Sequence, residues 1–175
     1  NDLRRRFYGA LEQAERTDDP TERAQWLTFV VVGGGPTGVE IAGQLALTAH
    51  DLRRHFRRID TTQARVILLD AGDRLVSAFS EKLSRKVAED IADLGVTVRE
   101  GARATEIDAR GVTIEADGVS ERIDSRTVIW AAGVHAVPLT DALAQATGAS
   151  TDRGGRIAVN PDLTVPGHPE ISVIG

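Results

Sequence analysis

Residues 28–40 read TFVVVGGGPTGVE, and the other predicted elements are organised around this segment. The apolar run at residues 28–32 predicts a strand buried on both faces, and a glycine turn and a helical pattern follow it directly. Gly33, Gly35 and Gly38 have the G-x-G-x-x-G spacing, in which the glycines make a tight turn, admit a pyrophosphate and let helix and strand pack closely. The stretch therefore predicts a dinucleotide-binding unit, with a structural glycine turn of another α/β protein as the alternative.

Asp70 ends a second apolar run, RVILLD. At the carboxyl end of a parallel strand, such an acid can accept hydrogen bonds from the adenosine ribose, and a solvated strand-end acid is the alternative. It lies 32 positions beyond Gly38, where about 20 is usual, and we attribute the excess to a long arginine-rich helix that reaches Ile59. A carboxylate there repels a 2′-phosphate, so NAD(H) is favoured over NADP(H), with Arg74 as the nearby base that would oppose this preference.

The remaining patterns predict a β-α-β-α-β order, an antiparallel meander and a last apolar strand at residues 127–132. One predicted helix has Ser80 as its cap, Gly95 as its stop and an apolar stripe on one face; the stripe comprises Leu83, Val87, Ile91 and Leu94. The meander is expected at residues 104–108, 112–116 and 120–124. The predicted fold class is α/β, a Rossmann-like three-layer domain with a central parallel sheet and an antiparallel β-meander excursion.

Composition excludes several classes of protein. The chain has 175 residues and a net charge of −5, which argues against binding to nucleic acid. It has no cysteine, hence no disulfide or thiolate metal site within this stretch, and its four histidines show no metal spacing, so no metal is predicted. The chain begins with Asn1 and contains no methionine, and we therefore expect it to be an excised or processed part of a longer protein.

These patterns together resemble the NAD-binding domain of the two-dinucleotide flavoprotein reductases, the glutathione-reductase-like superfamily. More narrowly, the chain resembles the actinobacterial type II NADH dehydrogenases, which are non-proton-pumping NADH:quinone oxidoreductases. The resemblance covers nearly the whole chain and is carried by FYGALEQAERTDDP (7–20), TFVVVGGGPTGVEIAGQLA (28–46), FRRID (56–60), ARVILLDAGDRL (64–75) and VIWAAGV (128–134).

The resemblance implies a role for each matching position. The residues expected to line the pyrophosphate are Gly33, Gly35, Pro36, Thr37 and Gly38. Asp70 would hold the adenosine ribose, and Glu40 would lie toward the nicotinamide and the flavin, although it also suits a first helical turn. Ala132 and Gly133 match a small-residue turn beside the nicotinamide ribose, with tight packing as the alternative. No general acid or base is nominated, because hydride transfer needs none.

The resemblance also predicts the organisation of the chain. Residues 1–27 would form a helical lead-in and residues 28–136 the NAD(H)-binding domain. Residues 137–175 would be a truncated return into an FAD-binding domain, with a helix at 137–147 and strands at 157–159 and 171–175. The FAD site would be incomplete here, and an exposed apolar helix face could then drive homodimers of the isolated piece.

The implied activity is transfer of hydride from NADH to FAD and of electrons on to a quinone. The isolated chain would bind NADH without turnover, and its parent would lie on the cytoplasmic face of the bacterial membrane, held through regions missing here. Two alternatives stay open: the NAD(H) domain of another FAD-dependent reductase, of the ferredoxin or nitrite reductase type, and a non-catalytic module for NAD sensing or interaction.

Overall fold

The computed structural model describes residues 2–152 and 154–174. The chain divides into two compact units, one up to Ala132 and the other from Gly133 onward. Strands and helices of the first unit follow the predicted order. Its strands are β1 (Thr28–Val32), β2 (Arg65–Leu69), β3 (Val96–Arg99), β4 (Arg103–Asp108), β5 (Gly111–Ala116), β6 (Val119–Asp124) and β7 (Thr127–Trp130). Its helices are α1 (Asp2–Arg16), α2 (Pro20–Trp26), α3 (Pro36–Asp51) and α4 (Glu81–Asp93).

A four-stranded parallel sheet in the order β3-β2-β1-β7 forms the centre of the first unit. Alternate side chains of β1 and β2 point to opposite faces of this sheet, because successive residues of a strand alternate. Phe29 and Val31 join a core built with helices α1, α3 and α4, whereas Val30 and Val32 join a second core built with the meander. The prediction of three layers is therefore confirmed, with helices on one face and β4-β5-β6 on the other.

Helix α1 belongs to the helical layer of the sheet. Its apolar face, Phe7, Ala10, Leu11 and Ala14, is buried, and the rings of Phe7 and Phe29 lie 4.9 Å apart. Helix α2 begins at Pro20. The side chain of Asp19 accepts hydrogen bonds from two N–H groups of its first turn, which satisfies donors that a helix leaves unpaired.

The prediction of a helix running to Ile59 is wrong. Helix α3 ends at Asp51, and a single 3-10 turn follows at Leu52–Arg54. The cause is a tertiary contact, because the Glu15 carboxylate of α1 accepts hydrogen bonds from the backbone N–H groups of residues 57, 58 and 59. These donors would otherwise bond within the helix, so the segment turns back onto α1.

Helix α4 has its predicted cap and stop, but only part of its predicted stripe is buried. Ser80 accepts a hydrogen bond from the N–H of Leu83, and Gly95 has the left-handed φ of 87° that suits a glycine after a helix. Ile91 is buried and Val87 partly so. Leu83 and Leu94 are each 43% exposed, because the buried face is rotated toward Ser84.

The second unit contains a helix and a hairpin. Helix α5 (Pro138–Thr147) lies where a helix at 137–147 is predicted, and Gly148 after it has a left-handed φ of 71°. Strands β8 (Thr164–Val165) and β9 (His168–Ser172) pair antiparallel across a turn. The last strand thus begins earlier than predicted and ends at Ser172, while Gly175 lies outside the described residues. In place of the predicted strand at 157–159, Ile157 forms one isolated bridge with Thr151.

Within residues 2–152 and 154–174, no helix combines the length and the apolar character that crossing a membrane requires.

Candidate dinucleotide-binding site

The candidate site lies where the order of the strands reverses. From β1 the chain passes to β2 and β3 on one side, and it returns to the other side of β1 as β7. In open α/β sheets, ligands bind at the carboxyl ends of the strands beside such a switch point. Gly33 follows β1, Asp70 follows β2 and Ala131 follows β7, so three of the strands place their next residues at this edge.

Two of the three motif glycines are required by close packing. Gly33 has φ of 113°, and a Cβ there would come within 2.6 Å of the backbone N of Ala132. A Cβ on Gly38 would overlap the carbonyl oxygen of Gly33. A Cβ on Gly35, in contrast, would meet nothing within 4 Å. The first and third glycines therefore allow the turn, the helix and the strand to pack closely, while the second leaves the backbone accessible.

The N-terminus of α3 begins at this open position. Gly35 is its N-cap in extended conformation, no side chain caps the helix, and Pro36 occupies the first helical turn. The first N–H groups of a helix have no partner within it and carry a partial positive charge. Thr37 is exposed beside them. This end of α3 is suited to an anion such as a phosphate.

The carboxylate of Asp70 lies directly beside the glycine turn. Its Oδ2 accepts a hydrogen bond from the N–H of Gly34, and its Oδ1 accepts one from the N–H of Gly72 at 2.7 Å. An ionised carboxylate offers about four acceptor positions, so two remain for further donors. Asp70 is thus part of the turn itself and keeps acceptor positions free, and its predicted role toward a ribose stays a prediction.

Sequence reasoning missed the role of Gly34, the variable position of the motif. Its N–H donates to Asp70, and its carbonyl accepts from the N–H of Val76 at 2.8 Å. A Cβ on Gly34 would lie 2.6 Å from Cδ2 of Leu75, which is fully buried. Residues 70–76, hereafter the 70–76 loop, therefore close over this glycine, and the run of three glycines was the only sequence signal of such a contact.

Arg74 belongs to the 70–76 loop, and its guanidinium is directed along the chain. Its Nη2 donates to the carbonyl of Ser77 at 3.0 Å. This contact holds the guanidinium against the residue that follows the 70–76 loop.

Glu40 lies one turn into α3 on its exposed face. It borders two grooves along this helix, one of about 450 Å³ toward α1 and one of about 280 Å³ toward α4. Neither groove includes the glycine turn. Its predicted place toward the nicotinamide and flavin stays a prediction.

The small-residue turn after β7 has two parts. Ala132 is half-buried, with its backbone against Gly33. Gly133 is exposed and has a left-handed φ of 78°, which disfavours any residue with a side chain. Their predicted role beside the nicotinamide ribose also stays a prediction.

The described residues contain no group of three or more His, Cys, Asp or Glu side chains that could hold a metal ion. His135, which follows the small-residue turn, is exposed. The site as described combines the uncapped N-terminus of α3 with the carboxylate of Asp70.

Comparison with known proteins decides the family. The model of the pyridine nucleotide-disulphide oxidoreductases matches residues 4–175. The chain belongs to this family. Members similar to it include the type II NADH:quinone oxidoreductases Ndh and NdhA of Mycobacterium tuberculosis, which are 47% and 45% identical over 99% of this chain. The chain spans 38% of the length of each of these relatives.

Solved structures agree on the fold. NDH2 from Plasmodium falciparum, in complex with NADH, superposes on 77% of this chain and 28% of its own, with a TM-score of 0.71 and 21% identity. The water-forming NADH oxidase from Lactobacillus brevis, bound to NADH, superposes on 94% of this chain and 31% of its own, with a TM-score of 0.57 and 21% identity. At these identities the likeness concerns the fold alone.

Proposed function

We propose that this chain is the NAD(H)-binding region of an FAD-dependent NADH:quinone oxidoreductase of type II. The observation that carries the proposal is the uncapped N-terminus of α3 behind an open Gly35, beside the carboxylate of Asp70. The Mycobacterium tuberculosis relatives supply the substrate pair, because they are named as NADH:quinone oxidoreductases. The whole enzyme would oxidise NADH and deliver two electrons and two protons to a quinone.

The residues of the turn bind the pyrophosphate in this proposal. The backbone of Gly33, Gly35, Pro36 and Gly38 forms the wall against which the phosphates lie, and Thr37 lines its exposed side. The partial positive charge of the α3 N-terminus stabilises the phosphate oxygens. Because Gly35 carries no side chain, the backbone and the phosphates can approach closely.

Asp70 binds the adenosine ribose through the acceptor positions that Gly34 and Gly72 leave free. Two hydrogen bonds hold its carboxylate in place, so it does not swing away from an approaching 2′-phosphate. The resulting repulsion between anions selects NADH over NADPH. Ala132 and Gly133 allow the nicotinamide half to pass close to the backbone after β7.

FAD supplies the redox chemistry when it is bound, since it accepts hydride from NADH and passes electrons onward. We assign its main binding site to the remainder of the parent protein, because the chain contains one G-x-G-x-x-G turn and that turn is assigned to NADH. The part of hydride transfer that belongs to this chain is orientation, with Glu40 on the face of α3 that would lie toward the two rings. The parent would work at the cytoplasmic face of the membrane, where quinone is available.

Calorimetric titration with NADH and NADPH tests the proposal. We expect NADH to bind and NADPH to bind at least tenfold more weakly, which corresponds to about 1.4 kcal/mol. No binding of NADH would overturn the proposed function, and equal affinities would overturn the role of Asp70. Purified chain without added flavin should reduce no quinone, and turnover in that assay would contradict the assignment of FAD to the rest of the parent.

A further inference from the structure

We propose that Glu100 is a positioning residue for the phosphate-binding turn, acting through the 70–76 loop and the strained backbone of Val76. Glu100 is exposed and follows β3, on the side of β2 away from β1. It has no contact with the glycine turn among those described. The proposal rests on the proposed function insofar as the turn binds NADH.

The turn is fixed by the 70–76 loop rather than by its own hydrogen bonds alone. Both polar groups of the Gly34 backbone are bonded to this loop, one through the side chain of Asp70 and the other through the N–H of Val76. The adjoining Gly35 is the open position of the turn. Movement of Val76 therefore changes the direction of the peptide groups that would meet a phosphate.

Val76 adopts a conformation that its own residue type disfavours. Its φ is 43°, in the left-handed region where a β-branched side chain is a genuine outlier. Such strain persists only when the surroundings hold the residue in place. Val76 is 6% exposed, and its N–H donates to the carbonyl of Gly34 at 2.8 Å.

Besides its core packing and a hydrogen bond from the N–H of Phe79 to its carbonyl at 2.9 Å, Val76 is supported through Leu75 by the turn between β3 and β4. Oε1 of Glu100 accepts a hydrogen bond from the N–H of Leu75, the residue before Val76, at 3.1 Å. Next to it, the N–H of Gly101 donates to the carbonyl of Gly72 at 2.7 Å, and the N–H of Ala102 donates to the carbonyl of Asp70 at 2.8 Å. Glu100 is the one side chain among these three links, and the link it makes is the one nearest to Val76.

A pair of variants isolates this link. Glu100→Ala removes the acceptor, whereas Glu100→Gln removes the same charge and keeps an acceptor oxygen in place. We expect Glu100→Ala to weaken NADH binding about two- to tenfold, the range of one ordinary hydrogen bond, and Glu100→Gln to bind like the wild type. Equal affinities for the two variants would overturn the proposal, and so would a loss in both, because it would trace the effect to charge.

Val76→Gly tests the route through the strained residue. Glycine adopts positive φ without strain, so residue 76 would no longer need the support of Glu100. We expect Glu100→Ala to cost clearly less affinity in the Val76→Gly background than in the wild type. Losses that add without coupling would show that Glu100 does not act through Val76.

Amide hydrogen exchange without nucleotide separates this proposal from the proposed function. Glu100→Ala should speed exchange at Gly34, Leu75 and Val76, with Glu100→Gln close to the wild type. This comparison remains decisive even if the wild type binds no NADH, which would overturn only the proposed function. Unchanged exchange at Gly34 and Val76 in Glu100→Ala would overturn the positioning role.

Discussion

The N–H of Gly34 donates to Oδ2 of Asp70, which lies 36 positions further along the chain. The side chain that is proposed to select the nucleotide thus also holds the turn that is proposed to bind its phosphates. A substitution at Asp70 therefore acts in the free protein as well as in the complex. Measuring the free energy of unfolding without nucleotide therefore separates the effect of such a substitution on stability from its effect on nucleotide affinity.

Asp70→Asn should destabilise the protein in the absence of any nucleotide. The amide nitrogen of asparagine cannot accept a hydrogen bond, so either Gly34 or Gly72 loses the acceptor of its N–H. The expected loss is about 1–3 kcal/mol in the free energy of unfolding, measured in urea. Asp73→Asn is the matched control, because Asp73 is an exposed acid of the same loop. Similar unfolding curves for the two variants would contradict the structural role of Asp70.

Two glycines of α3 should respond in opposite ways to alanine. Gly38→Ala would force its Cβ against the carbonyl of Gly33, so we expect a loss of at least about 1–3 kcal/mol in stability and weaker NADH binding. Gly43→Ala would place its Cβ 3.6 Å from Cδ1 of Leu94, an ordinary contact. It should stabilise the helix by about 0.5–1 kcal/mol. Thermal unfolding of both variants checks this, and a stable Gly38→Ala protein with normal affinity would refute the packing argument.

Ser125 should stabilise the pairing of the edge strand β7 with β1. Its buried hydroxyl donates to the carbonyl of Thr28 at 2.6 Å and accepts from the N–H of Thr127 at 3.1 Å. Ser125→Ala leaves both backbone groups without this partner and should cost about 1–3 kcal/mol in the free energy of unfolding. Ser120→Ala, on the exposed part of β6, should change it by less than about 0.5 kcal/mol. A difference smaller than the error of the urea titration would argue against the bridging role.

The free energy of unfolding of the protein should fall at acidic pH because the Glu15 carboxylate becomes protonated. Burial raises the pKa of this carboxyl, but hydrogen bonds from the N–H groups of Arg57, Arg58 and Ile59 outweigh that effect and hold the pKa below its ordinary value of 4.5. The contribution of Glu15 is therefore complete above the unfolded-state pKa and is lost as the pH falls through the lower, folded-state pKa.

Glu15→Gln should consequently lower the urea midpoint at pH 7 and have less effect near pH 3. Glu12→Gln, on the exposed face of the same helix, is the control and should leave the pH dependence of the midpoint unchanged. An effect of Glu15→Gln that is as large at pH 3 as at pH 7 would contradict the role of the ionised carboxylate.

The sequence was sufficient for the elements whose cause is local. The glycine spacing at residues 33–38, the Ser80 cap and the left-handed Gly95 after α4 all depend on neighbours a few positions away. The meander was visible for the same reason, since Gly111 and Gly118 separate short alternating segments. Asp70 was placed correctly at the end of β2 because an apolar run stops there.

The remaining features depend on partners distant in the chain. Helix α3 stops early because Glu15 captures donors more than 40 positions away, and helical periodicity continues through Ile59 regardless. The Glu100–Leu75 contact joins two loops across the end of β2, and no sequence pattern links the two residues. Val76 has an unremarkable residue type for a loop, so only the backbone reveals its strain.

The two tryptophans lie near opposite ends of the parallel sheet, so their fluorescence can report on two different regions of the protein. Trp130 pairs with Val32 at the end of β7 and is 61% exposed, whereas Trp26 lies just before β1 at the opposite end. The sequence contains no third tryptophan. Trp130 thus lies at the end of the sheet where Gly33 follows β1, and Trp26 lies near the other end, so the intrinsic fluorescence of Trp130 can report nucleotide binding while that of Trp26 reports whether the fold is intact.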